Sequence, residues 1–197
     1  MCYPVDEKSL DPLSLDGLAP VLVAVRKYNM NLTEKYITQR LRQLVAMSPL
    51  QGYCLSIHFQ LGDNLTRAAA RGFLAQGIRS AYVDIHIREL DDISGSAYAR
   101  LLDYHSKCSV AVLHVINTYP DTPSERSERY QWRRLVEDKP SGYEVQPQNA
   151  MAEVLTEAAK CDYCRPQVWN HLQGFLRLMT ARMDAAITQV SSEVFPF

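Results

Sequence analysis

Three histidines, His58, His86 and His114, each fall inside an apolar-rich stretch: YCLSIHFQL (53–61), AYVDIHIREL (81–90) and CSVAVLHVINTY (108–119). Imidazole titrates near neutral pH and, when neutral, ligates divalent metals. Beside His86, Asp84 offers a carboxylate and Arg88 a guanidinium. If the three stretches are neighbouring strands, about 4.8 Å apart, the rings can converge on one point. The expected catalytic set is then His58, Asp84, His86 and His114. Mn²⁺ or Mg²⁺ would be held by Asp84, His86 and His114 and would polarise a phosphodiester for attack by a tyrosine or water. The plain alternative is a solvated sheet face, on which all these residue types are ordinary.

A second constellation has zinc-like spacing. His105 and Cys108 are separated by two residues, as are Cys161 and Cys164. Structural zinc takes four such ligands in tetrahedral geometry. Zinc is the lesser expectation beside buried or incidental thiols.

A third set lies in RSERYQWRRLV. Arg126, Arg129, Arg133 and Arg134, interleaved with Tyr130 and Trp132, combine positive charge with stacking surface. Phosphate contacts and base stacking use those groups, so this segment and Arg88 are candidates for binding single- or double-stranded DNA. Glu125, Glu128 and Glu137 dilute the charge, as on a plain solvated helix.

The elements that must position these groups follow from periodicity. In 53–61, Leu55, Ile57, Phe59 and Leu61 alternate with Ser56, His58 and Gln60, the pattern of a strand with one covered face. The stretch 81–90 repeats it, and 108–119, nearly all apolar, reads as a central strand. Helices are expected in NLTEKYITQRLRQLVAM, with Asn31 and Glu34 as a capping box, and in LTRAAARGFLAQ, stopped by Gly77. AYARLLDYH reads as a short helix. PQVWNHLQGFLRLMTARMDAAITQV reads as a long one, with Trp169, Leu172, Leu176, Met179, Met183 and Ile187 along one face. The run PVLVAVRKY fits a strand or a helix start.

The architecture expected is α+β: a ferredoxin-like sandwich whose antiparallel or mixed sheet is covered by helices on one face. Residues 1–19 would be a flexible arm and 20–197 one domain, with the sheet core in about 50–120 and C-terminal helices in about 150–190.

Composition limits the function. With 197 residues, 47% hydrophobic and 22% charged, the chain can build a full core. A net charge of −1 gives no bulk attraction to nucleic acid, so only a local basic patch would bind it. No apolar run approaches the ~20 residues that span a bilayer. Five cysteines and no visible secretory signal point to reduced thiols in a cytoplasm.

The ordered stretches YCLSIHFQL, YVDIHIREL and SVAVLHVINTYP resemble the core of inovirus-type replication-initiator-like proteins carried on bacterial prophages. Arg88-Glu89 and His114 followed by Asn117 match that family's second and third elements, and the resemblance covers roughly residues 35–135. It implies a phage or mobile-element protein that nicks DNA during replication. The paired histidines of HUH-type nucleases are reduced here to His114, preceded by Val112 and Leu113, which fits a non-catalytic, DNA-binding descendant equally. The same strands are loosely similar to primase-type palm domains. From another class comes a non-enzymatic inhibitor or effector that binds a protein, or a second copy of itself, through 166–190. The same apolar stripe packed inside the chain is the plain reading of that helix.

Overall fold

The computed structural model describes residues 15–78, 88–118, 136–141, 160 and 165–196. Every regular element among them is helical. Those with both ends described are α1 (Leu15–Lys27), α2 (Asn31–Met47), α3 (Pro49–His58), α4 (Asp63–Gln76), a 3₁₀ turn (Arg88–Leu90), α5 (Gly95–Asn117) and α6 (Arg165–Val194).

The α+β sandwich is therefore overturned: no strand occurs among the described residues. The stretch 53–61 lies in α3 and the turn after it, and 108–117 is the second half of α5. Residues 81–87 lie outside the described residues, and 88–90 are the 3₁₀ turn. α3 is buried nearly all round, at Pro49, Leu50, Gly52, Tyr53, Cys54, Leu55 and Ser56. A helix covered on every side shows no amphipathic stripe, so its accidental alternation passed for a strand. α5 buries Ala97, Leu101, Tyr104, His105, Cys108, Val112 and Ile116 at three- and four-residue steps, one helical face from end to end.

The helices expected in 31–47 and 65–76 are present. α1 resolves the open stretch as helix and also takes in residues 15–19 of the expected arm. Leu18, Leu22 and Val25 form its buried stripe.

The chain divides into two compact units: Met1–Gly72 with His86–Tyr98, and Phe73–Ile85 with Ala99–Phe197. In the first, α1 and α2 are joined by a tight turn. Asn29 is left-handed at φ 53°. Met30 N–H donates to Val25 O at 3.0 Å and Asn29 N–H to Arg26 O at 3.1 Å. Those two bonds make a Schellman stop, and asparagine tolerates its left-handed residue better than most. α3 ends the same way with Gln60 at φ 51°, where Leu61 N–H donates to Ser56 O at 3.0 Å.

Between α2 and α3 the chain barely pauses. Ser48 ends one helix and precedes the next, and Pro49 opens α3 where a missing N–H costs nothing. Gly52 lets α3 approach α2, because a Cβ there would lie 2.6 Å from Val45 Cγ2. α5 is capped by Ser94, whose Oγ accepts from Ala97 N–H at 3.2 Å.

The second unit contains most of α5, the segment 136–141 and α6. Met179, Met183, Ile187 and Val190 on α6 are buried, as are Val136 and Phe195. Tyr104 and Phe195 meet edge to face, with centroids 5.3 Å apart.

Candidate functional site

The strand frame expected to gather a metallo-nuclease centre is absent among the described residues. His58 is the last residue of α3, exposed, with Nδ1 3.2 Å from Asp92 O. Arg88 is exposed on the 3₁₀ turn, and His114 is exposed on α5. His58 and His114 belong to different units. Of the stretches that were to form the common sheet face, 53–58 and 108–117 are helical. Asp84, His86, Arg126, Arg129, Tyr130, Trp132, Arg133 and Arg134 lie outside the described residues, as do Cys161 and Cys164. Among the described residues, no group of three or more His, Cys, Asp or Glu is placed to hold a metal ion.

His105 and Cys108 do share a buried face of α5. His105 Nε2 donates to Asp138 O at 3.0 Å, and one turn later Ser109 Oγ donates to Val136 O at 3.3 Å. Residues 136–138 are helical and the helix stops before Pro140, so these carbonyls belong to its last turn. His105 and Ser109 donate to them from α5. Serine, histidine and aspartate are thus close in this unit, but both side-chain donors are committed to main-chain oxygens. Burial lowers the His105 pKa, against the opposing pull of the Asp138 carbonyl and carboxylate, so the ring is a neutral structural donor. Its edge meets Phe73 at 5.9 Å between centroids.

In the first unit, Cys54 and His58 lie one turn apart on α3, the spacing of a nucleophile and its base. The thiol is unsuited to that role: burial, with the negative charges of Glu89 and Asp92, pushes its pKa up to about 12. Gln51 Nε2 donates to Glu89 Oε1 at 2.8 Å, tying the 3₁₀ turn to α3.

The feature that sequence reasoning missed is the corner between α1 and α2. Arg26 Nε donates to Glu34 Oε1 at 2.9 Å, and its Nη1 donates to Gln60 O at 3.2 Å and Phe59 O at 3.4 Å. One guanidinium thus joins the end of α1 to the first turn of α2 and to the carbonyl end of α3, where positive charge is favoured. The expected capping box at Asn31 is replaced by this arrangement: Met30 is the N-cap, no side chain caps it, and Glu34 pairs with Arg26 instead.

On this braced corner large apolar side chains face water. Leu32 is 84% exposed and Tyr28 69%, with Met30 and Val23 each above 40%. Lys27 and Lys35 are exposed beside them, and Lys27 Nζ stands 6.0 Å from the Tyr28 ring centroid. The sequence signal was present in RKYNMNLTEK, but four apolar residues broken by polar ones resemble an ordinary loop until their exposure is seen.

No family model matches the chain, and no curated protein or solved structure is similar to it. Fold and site define a class only: a protein that is helical among the described residues and carries an exposed apolar corner. None of its described helices is long and apolar enough to cross a membrane.

Proposed function

We propose that this chain is a non-enzymatic interaction protein that docks another protein on the α1–α2 corner. The observation that carries this reading is the exposure of Tyr28 and Leu32 on a turn held by Arg26. Burying a leucine or aromatic side chain contributes about 1.5–3 kcal/mol, and tyrosine is enriched among the residues that dominate interfaces. A corner already fixed by a Schellman turn and a three-way guanidinium loses little freedom on binding, which favours affinity.

Catalysis has less support. The buried thiol is held protonated, the buried imidazole is spent on a carbonyl, and the stretches carrying His58 and His114 are helix. The stripe Met179–Val190 on α6, the other candidate surface, supports the core of its own unit.

The test is site-specific photocrosslinking in the cells that make the protein. A photoreactive phenylalanine analogue replaces Leu32 in one version and the exposed Glu193 in another. A protein adduct specific to position 32, reproduced with the purified partner, supports the reading. Adducts only to nucleic acid, or the same adducts from both positions, would sink it.

A further inference from the structure

We infer, resting on the interaction reading above, that the partner segment docking on the α1–α2 corner is an acidic amphipathic helix. The apolar residues Val23, Tyr28, Met30 and Leu32 are flanked by cations: Lys27 one turn after Val23, and Lys35 three residues after Leu32 on α2. The only carboxylate within this stretch, Glu34, is occupied by Arg26 at 2.9 Å. Lys27 and Lys35 make no ion pair among the described residues, and both are exposed. The segment 23–35 therefore offers exposed apolar side chains with two cations, Lys27 and Lys35, and a carboxylate already paired, on a chain whose net charge is −1. Complementarity calls for apolar residues at helical spacing, bordered by Asp or Glu, and disfavours a basic segment by like-charge repulsion. A helix of about 16 residues, some 24 Å long, is enough to cover such a corner.

The Schellman turn matters here. It fixes the backbone of Met30 and Leu32 relative to that of Tyr28, so their side chains start from set positions. The lysines, on long flexible stems, adapt around them and give long-range steering that salt weakens.

The experiment is a selection of random peptides of about 16 residues displayed against the full chain, counter-selected against a Tyr28→Ser/Leu32→Ser variant. That variant is checked for unchanged circular dichroism and melting, since both side chains are exposed. The expected survivors are acidic and apolar at helical spacing. Their affinity should fall about tenfold or more in the Leu32→Ser variant, and weaken as salt rises from about 0.05 to about 0.5 M. Repeating the selection on Lys27→Glu/Lys35→Glu should turn the preference toward basic peptides.

Survivors that are basic or uncharged, yet still lost in Leu32→Ser, overturn the acidic assignment and leave the interaction reading standing. No survivor that depends on Tyr28 or Leu32 overturns both. Vesicles of phosphatidylserine and phosphatidylcholine form the remaining arm. Leu32-dependent binding to them, with no peptide enriched, overturns both in favour of a lipid surface.

Discussion

His105 Nε2 lies 3.0 Å from the carbonyl oxygen of Asp138, 33 residues away in sequence, and donates a hydrogen bond to it inside the second unit. A buried, neutral imidazole in that position makes stability depend on pH. Its folded pKa is below the 6.5 of a free imidazole, so below about pH 7 the unfolded chain binds more protons than the folded one. The contribution is present above pH 6.5 and is lost as pH falls through that value toward the lowered folded pKa. Denaturant melts between about pH 7.5 and 5.5 should show stability falling with acidification, less steeply in His105→Gln. An unchanged slope in the variant would remove His105 from the cause. His105→Ala, which removes this buried hydrogen bond, should cost about 1–3 kcal/mol at neutral pH.

Arg26→Met should destabilise the first unit by about 1 kcal/mol, a modest value because the pair with Glu34 is partly exposed and screened. Arg26→Lys should recover only part of this, since a single ammonium cannot reproduce the planar fork that reaches Glu34, Phe59 and Gln60 together. A double-mutant cycle with Glu34→Gln checks the coupling. Strict additivity would mean that the ion pair contributes nothing.

The left-handed residues give a graded series by thermal melting. Gln60→Gly should stabilise by about 0.5–1 kcal/mol, because φ 51° is relaxed for glycine. Gly62→Ala, at φ +99° in open space, should cost about 1 kcal/mol. Gly77→Ala should cost more, because its Cβ would also lie 2.8 Å from Lys139 Cγ. The reverse order for the two glycines would contradict the packing around Gly77.

Cys54 and Cys108 are fully buried, and burial pushes the Cys54 thiol up to about 12. In native protein at neutral pH, a thiol alkylating reagent followed by peptide mapping should leave both unlabelled, with labelling on addition of denaturant. Rapid native labelling of Cys54 would show that α3 opens. Since the folded pKa is above the ordinary 9.0, Cys54 also favours unfolding as pH rises through about 9, a loss that Cys54→Val should lessen.

Helices with one wet face were legible in the sequence. α2 shows Ile37, Leu41 and Val45 at four-residue steps, and α4 stops at Gly77, which takes the positive φ expected of a helix-terminating glycine. α3 and α5 were misread for two physical reasons. α3 has no polar stripe because it is enclosed, so helical period cannot be seen in it. In α5 the β-branched run Val110, Val112, Val115 and Ile116 imitates a strand, although Val110 is exposed and Val112 and Ile116 continue the buried face of Leu101 and Cys108. The candidate site followed the strands, since alternation had placed the histidines together. Arg26 was not legible because its partners are set by two helix ends, Phe59–Gln60 and Glu34, whose meeting is a tertiary event.

The same arginine has a mechanical meaning. A hairpin of two helices, pulled at its tip, can peel open from the loop. Here a tug on Leu32 reaches Glu34, passes through the guanidinium into the end of α3, and continues into the close seam where Gly52 meets Val45. The tip is thus moored to three helices, and a tethered partner would pull against the whole group before the turn could unravel.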